Sequence, residues 1–204
     1  MLNVVFAVAV LCFGSSVFAQ SHSSIDSTRS TFNRNVFFDQ SLVGFNSSLN
    51  FSGDSAAVNQ MGKGWTGFGI RDGFGLELYK FIHLSILHTH VDQEGKGEAN
   101  ASFEANELSG NLSFNFASPI GNLGFGAGIV ASRASLQTVE KSSRYSGSGQ
   151  LENISWNYFM TPSFSLTSKV ERAHMTYHQG SGNTGISKFT SNRTGMALGF
   201  KIWL

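Results

Sequence analysis

Two short stretches of this sequence carry the histidines best suited to binding or catalysis. His88 and His90 are two residues apart, and His174 and His178 are four residues apart. In a β-strand, a spacing of two places both imidazoles on one face, as a pair of metal ligands needs. The two stretches fall on strands that we predict on opposite sides of the fold. We therefore interpret all four histidines as polar residues at a rim and predict no metal site.

A serine close to a histidine is the minimum requirement for a nucleophile and its general base. Ser181 follows His178 in the segment HQGSGN. No Asp or Glu occurs after Glu171, so the final strand offers no carboxylate that could orient the imidazole. We interpret the segment as a polar loop and predict neither a catalytic residue nor a cofactor.

The composition favours strands that face an apolar environment. Of the 204 residues, 13% are charged, against about 25% in soluble proteins, and the chain has 23 Gly and 19 Phe. The net charge of +1 excludes the basic excess of a nucleic-acid-binding protein. The aromatic content excludes a disordered chain, and the sequence lacks the Ala, Leu, Glu and Lys richness of a helical bundle.

The N-terminal segment has the features of a secretory signal peptide. The apolar run at residues 4–13 is too short for a membrane-spanning helix, which needs about 20 residues. Val17 and Ala19 occupy the −3 and −1 positions of a cleavage site, although no basic residue precedes the apolar run. We predict a signal peptide at residues 1–19 and a flexible polar lead at residues 20–36.

Apolar and polar residues alternate along most of the remaining chain. Leu112 and Phe114, for example, alternate with Asn111 and Ser113. A period of two is typical of β-strands and does not fit a helix. The pattern predicts eight strands, at residues 40–52, 66–80, 82–92, 106–118, 122–137, 148–160, 164–178 and 190–204.

The predicted connections alternate between short and long. Three are tight turns, and both prolines of the chain fall in these turns. Four are long and polar, near residues 53–65, 93–105, 138–147 and 179–189. Such an alternation predicts an antiparallel up-and-down arrangement with both chain termini on the short-turn side and long loops on the other.

The two faces of the predicted strands distinguish a membrane barrel from a soluble one. The face opposite the Leu and Phe residues is rich in Gly, Ser and Asn, whereas a soluble exterior would carry more Lys and Glu. Lipid offers no hydrogen-bond partners to backbone N–H and C=O groups, so strands can cross a bilayer only when they pair with one another in a closed ring. We therefore predict an all-β, eight-stranded antiparallel up-and-down transmembrane β-barrel at residues 37–204, in preference to a soluble β-sandwich or lipocalin-like barrel.

Aromatic residues gather near the short-turn ends of the predicted strands, as in a membrane-interface girdle. They are Phe37, Phe38, Tyr79, Phe81, Phe116, Tyr158, Phe159, Phe164 and Trp203.

The last strand, ALGFKIWL, resembles the C-terminal assembly signal of small eight-stranded Gram-negative outer-membrane β-barrels, the OmpA- and OmpX-like transmembrane barrels. Gly199, Ile202 and Leu204 match that signal. Ala197 stands where the family has a polar residue, and the family usually ends in Phe. The resemblance implies a bacterial outer membrane, with lipid and lipopolysaccharide around the barrel. It also implies periplasmic chaperones and the barrel-assembly machinery as partners.

The family does not imply one activity, because it includes structural barrels, adhesins, small pores and two lipid A-modifying enzymes. We predict a barrel without catalysis that has a structural or surface-interaction role towards an unknown extracellular ligand. A narrow pore for small solutes is one alternative. A lipid A-acting hydrolase is the other, although the segment after His178 does not match the spacing of the lipid A deacylases.

Five charged residues share the parity of the predicted lumen face. Glu77, Lys169, Glu171, Arg193 and Lys201 are expected to form an ion-pair network that plugs the barrel. Alternatively, these charges would hydrate a thin continuous channel. Arg172 and His174 have the parity of apolar residues, and a β-bulge near Glu171 is the alternative that would reverse part of this assignment.

Overall fold

The computed structural model describes residues 35–78, 81–95, 101–118, 121–139 and 141–204. The predicted signal peptide and nearly all of the polar lead lie outside the described residues. In the part of the chain that the structure describes, no helix is long and apolar enough to cross a membrane.

Eight antiparallel strands form a closed barrel in which each strand pairs with its neighbours in sequence. The strands are β1 (Val36–Gly53), β2 (Gly64–Leu78), β3 (Ile82–Gly95), β4 (Ser102–Ser118), β5 (Gly121–Gln137), β6 (Ser142–Thr161), β7 (Phe164–Gly182) and β8 (Ile186–Trp203). The ring closes where β1 pairs with β8. At that seam the Leu204 N–H donates a hydrogen bond to the Val36 carbonyl at 2.9 Å. The predicted eight-stranded up-and-down barrel is confirmed.

The strands extend further towards the loop side of the barrel than the sequence pattern predicts. β6 begins at Ser142 rather than at 148, and β7 continues to Gly182 rather than to 178. The predicted length of three of the four long loops is therefore wrong, because the strands leave only residues 96–101, 138–141 and 183–185 between them. Only the β1–β2 connection, 54–63, stays long, and it contains a short helix, α1 (Ser55–Gln60), capped by the Asp54 carboxylate.

The outward face of the short-turn half exposes a belt of hydrophobic side chains, named here the apolar belt, which Gln40 interrupts on β1 and Asp72 on β2. Its members include Leu42, Phe74, Leu84, Ile86, Leu112, Phe114, Phe125, Ile129, Ile154, Val170, Leu198 and Ile202. A soluble monomer rarely exposes so large an apolar surface, whereas the hydrocarbon core of a bilayer covers such a band. Polar and charged residues dominate the outward face of the loop half, although Phe68 and Ile70 on β2 and Leu108 on β4 are also exposed there.

The inward face of the loop half is a hydrophobic core, named here the outer core, and not the small polar surface that the sequence suggests. Trp65, Phe103, Tyr145, Tyr177 and Phe189 are among its buried members. The rings of Tyr177 and Phe189 stack with centroids 4.6 Å apart, and Phe103 meets Tyr177 edge-on at 5.5 Å. The strand extensions beyond the belt are thus held together like a soluble β-barrel.

Three aromatics of the predicted interface girdle turn inward instead. Phe37, Phe159 and Trp203 form a buried cluster, the inner cap, at the short-turn end of the lumen. Strand parity explains the error, because Trp203 lies on the same face of β8 as the buried Lys201. Phe81 and Phe116 remain exposed on the outside, and Tyr79 lies outside the described residues.

Candidate functional site

The lumen between the inner cap and the outer core holds a layer of charged side chains. All five charged residues predicted for the lumen face inward and are buried: Glu77, Lys169, Glu171, Arg193 and Lys201. The alternative of a β-bulge near Glu171 does not hold, because β7 pairs without interruption there, with Asn153 on one side and Gly195 on the other. Arg172 and His174 simply point outward.

Two arginine–carboxylate pairs cross the lumen between strands that are not neighbours. The Arg71 guanidinium on β2 donates to both oxygens of Glu171 on β7, at 2.6 and 2.9 Å. The Arg193 guanidinium on β8 donates to both oxygens of Glu107 on β4, at 2.8 and 2.6 Å. Parallel hydrogen bonds of this kind fix both distance and orientation, so each pair spans the barrel interior as a strut.

A third group of charges lies nearer the short-turn end. The Lys169 ammonium donates to the Asp39 carboxylate at 2.7 Å, and the Lys201 ammonium lies 3.9 Å from the same carboxylate oxygen. Lys201 also sits over the Phe37 ring, 4.8 Å from its centroid. These contacts connect the charged layer to the inner cap.

A buried histidine lies beside the inner cap. His83 Nε2 lies 3.0 Å from the Glu77 carboxylate. The His83 ring is 5.3 Å from the Phe37 ring and 5.5 Å from that of Trp203, measured between centroids. This histidine is not among the four that the sequence singles out by their spacing, although the alternation along β3 gives it inward parity.

Three of the five residues predicted to form the network pair with charged residues outside the predicted set. Glu171 binds Arg71, Arg193 binds Glu107, and Lys169 binds Asp39. The inward parity of Arg71 and Glu107 could have been read from the alternation in β2 and β4. Nothing in the sequence, however, indicates which strands face each other across the lumen.

Little space remains between these side chains. A cavity of about 30 Å³ lies among Asp39, Arg71, His83, Lys169 and Lys201. This volume suits about one or two water molecules. Among the described residues, the inner cap, the charged layer and the outer core follow one another along the lumen.

The four histidines considered first lie on the outside of the barrel. His90 Nδ1 is 3.1 Å from the Asn106 side-chain oxygen, and His174 Nδ1 is 2.6 Å from that of Asn192. His88 lies 3.6 Å from Asp72, with both side chains about half exposed. β3 and β7 are far apart in the ring. Within the described ranges, no group of three or more His, Cys, Asp or Glu residues could hold a metal ion.

The segment HQGSGN, considered above as a nucleophile site, lies at the loop end of β7. His178 and Ser181 are both exposed, and no hydrogen bond joins them in the described part of the chain.

The residues of the assembly signal lie along the β1–β8 seam. Ile202 and Leu204 point outward at the short-turn end. Gly199 faces inward, where a Cβ atom would lie 2.0 Å from the Gln40 carbonyl oxygen. Only glycine allows β1 and β8 to approach this closely.

Comparison with solved structures agrees with this architecture. Neisserial surface protein A superposes with a TM-score of 0.53 at 16% sequence identity, over 83% of this chain and 97% of that one. The outer membrane protein OprG from Pseudomonas aeruginosa superposes with a TM-score of 0.50 at 9% identity, over 83% of this chain and 96% of that one. No protein-family model and no curated protein matches the chain. The likeness is one of fold: the chain is a small eight-stranded transmembrane β-barrel of the outer-membrane type.

Proposed function

We propose that this protein is a non-conducting barrel of the Gram-negative outer membrane, without catalytic activity, that acts through its outer surface in a structural or surface-interaction role. The observation that carries the proposal is the pair of struts across the lumen, Arg71 with Glu171 and Arg193 with Glu107. The side chains of all four residues are exposed by 4% or less.

The energetics of buried ion pairs support a closed lumen. Removing one partner from such a pair costs about 3–5 kcal/mol, because an uncompensated charge remains in a low-dielectric interior. A permeating ion would have to separate at least one strut. It would also have to pass the aromatic rings of the inner cap and the outer core, which offer it few polar ligands.

The loop end offers a surface for an extracellular ligand. A depression of about 540 Å³ lies between the β1–β2, β5–β6 and β7–β8 connections. Gln60 and Lys141 contribute polar groups to it, and Val139 contributes an exposed apolar side chain. A mixed lining of this kind suits a protein or glycan surface better than a small apolar molecule.

The second candidate function is a narrow pore for small solutes. The polar cavity beside Asp39, Lys169 and Lys201 favours it, since water there would form one step of a hydrated path. The two functions differ in whether the cavity connects to both ends of the barrel.

Planar-bilayer recording distinguishes the two functions. The refolded barrel should insert without unitary current steps. An Arg71→Met/Glu171→Met double variant replaces one strut by apolar side chains and should stay silent, whereas Glu171→Ala leaves space and an unpaired cation and should produce intermittent steps. Arg172→Ala, on the outward face of the same strand, is the matched control. Stable, ion-selective steps from the unaltered protein would overturn the proposal.

A further inference from the structure

The outside of the barrel has a groove within the apolar belt. It extends from Val36 on β1 and Phe74 on β2 to Glu152 on β6 and has a volume of about 1100 Å³. Gly110 and Ala127 form its floor, and Ile86, Leu112 and Ile129 form its sides. A Cβ atom placed on Gly110 would meet nothing within 4 Å, so the missing side chain leaves the groove open. The lining is mostly apolar, and its polar members Gln150 and Glu152 lie at the β6 edge. The apolar part and its level in the belt fit a single acyl chain.

Two arginines lie on the loop side of this groove. On β5, the outward residues in order are Ala127 and Ile129 in the groove, then Ala131, then Arg133. Arg133 is opposite Ser146 on β6, and Arg144 is the next outward residue of that strand towards the loop end. The two arginines are thus diagonal cross-strand neighbours, with Cα atoms about 7–8 Å apart.

One acidic residue lies among the sheet neighbours of Arg133. Its direct neighbours in the sheet are the neutral Asn106 and Ser146. Glu104 lies diagonally on β4, but no ion pair joins it to Arg133 in the described part of the chain. His178 and Lys188 continue the row beyond Ser146 on β7 and β8. We name Arg133, Arg144, His178 and Lys188 the basic row.

The charge of the outer surface differs between the two sides of the barrel. β5 to β8 carry the exposed basic row together with Arg172, and Glu152 is the acid among them. On β2 to β4 the outward charges are acidic: Asp72, Asp92, Glu94 and Glu104. An anionic headgroup is therefore attracted to one sector of the barrel and repelled by the other.

We infer that the groove and the basic row together bind a phosphorylated glycolipid of the outer leaflet, with one acyl chain along Gly110 and Ala127 and a phosphate at Arg133 and Arg144. Guanidinium groups bind phosphate through parallel hydrogen bonds. On the outward face of β5, only Ala131 separates Arg133 from Ile129 in the groove. The inference rests on the proposed function, because it requires the barrel to stand in an outer membrane. Beyond the proposed function, the inference specifies the lipid class that the outer surface binds and its position at the groove and the basic row.

Binding of bisphosphorylated lipid A is measured by native mass spectrometry of the barrel released from phosphatidylcholine micelles. Arg133→Gln/Arg144→Gln should weaken binding about a hundredfold, at about tenfold for each lost charge-assisted contact. Lys63→Gln, which removes an exposed base from the β1–β2 connection, should leave binding unchanged. Dephosphorylated lipid A should bind the wild type and the double variant equally weakly.

The groove is tested separately. Gly110→Leu fills it and should weaken lipid A binding several-fold. Gly44→Leu is the matched control, because Gly44 is also an outward glycine where an added Cβ atom would meet nothing within 4 Å, but it lies on β1 outside the groove. Equal losses from the two leucine variants would overturn the groove as the acyl site.

Three results would overturn the inference as a whole. The first is that the Arg133→Gln/Arg144→Gln and Lys63→Gln variants bind lipid A equally well, and the second is that the wild type binds dephosphorylated and bisphosphorylated lipid A equally well. The third is that phosphatidylglycerol competes for the site as well as lipid A does. Heat-modifiable gel migration first establishes that each variant has inserted as a barrel. An inserted barrel that shows any of these results defeats the inference and leaves the proposed function intact. A wild type that never inserts defeats the proposed function itself.

Discussion

At the scale of single residues, the fold depends on carboxylates and guanidinium groups that are paired across the lumen. Glu171→Gln leaves Arg71 buried without its counter-charge and should lower the free energy of unfolding by about 3 kcal/mol. Replacing both residues with Met should restore most of that loss, because no charge then remains unpaired. Urea unfolding in detergent micelles measures both effects. Arg172→Gln, exposed on the same strand, should change stability by less than about 0.5 kcal/mol.

The second residue-scale prediction concerns the shared carboxylate of Asp39. Replacing Lys169 and Lys201 together with Met removes both ammonium groups near Asp39. Without these ammonium groups, the buried Asp39 carboxylate should destabilise the short-turn half of the lumen. Either the barrel then unfolds at a lower urea concentration or intermittent current steps appear. A variant that matches the wild type in both measurements would show that these lysines do not hold the lumen closed.

Residue parity could be predicted from the sequence, whereas partners across the lumen could not. Alternation along β7 places Lys169 and Glu171 on the inward face, and the structure has them there. Their partners, Asp39 and Arg71, are 130 and 100 residues away in sequence. Which inward residues meet depends on how the register between strands accumulates around the ring, and a single sequence does not specify that register.

At the scale of strands, depth in the membrane should determine what a substitution costs. Leu42 and Asn46 both point outward from β1, the first within the apolar belt and the second beyond it. Leu42→Arg should destabilise the inserted barrel by about 2 kcal/mol, because its charge enters hydrocarbon, and Asn46→Arg by less than about 1 kcal/mol. Reversible unfolding from lipid vesicles measures the difference. Equal costs at both positions would contradict the position of the belt.

The β1–β8 seam should be sensitive to side-chain volume on its inward side. Gly199→Val places atoms against the Gln40 carbonyl and the Ser41 side chain and should prevent the strands from closing. Gly44→Val, on the outward side of the same seam, has open space and should be tolerated. The fraction of heat-modifiable barrel after refolding measures closure, and equal fractions for the two variants would contradict this account of the seam.

The strand ends were less predictable than the strand centres. Within the belt, lipid requires outward apolar residues, so the alternation is regular and easily seen. Beyond the belt the outward face meets water and becomes polar, while the inward face keeps residues such as Tyr145 and Phe189. Segments rich in Gly and Ser then resemble loops, although Tyr145 donates a hydrogen bond to the Ile186 carbonyl at 2.9 Å and holds the ends of β6 and β8 together.

At the scale of the whole molecule, the barrel has two parts with different surroundings. The short-turn half has a lipid-facing exterior and a charged interior, and the loop half has a polar exterior and a hydrophobic interior. The sequence predicts the first part well, because both of its faces obey simple alternation. The filled interior of the second part depends on contacts such as that between Phe103 and Phe189, which only the closed ring brings together.

The central claim, a lipid-embedded barrel with a closed lumen, is tested most directly by quenching the fluorescence of its three tryptophans one at a time. Trp156 is half-buried on the outward face of β6, whereas Trp65 and Trp203 are fully enclosed on the inward face. Single-tryptophan variants, with Phe at the other two positions, are placed in vesicles of brominated phosphatidylcholine and titrated with iodide. Brominated acyl chains should quench Trp156, and neither quencher should reach Trp65 or Trp203. Iodide quenching of Trp203 would reveal a water-filled lumen, and an unquenched Trp156 in brominated lipid would contradict a membrane-embedded barrel.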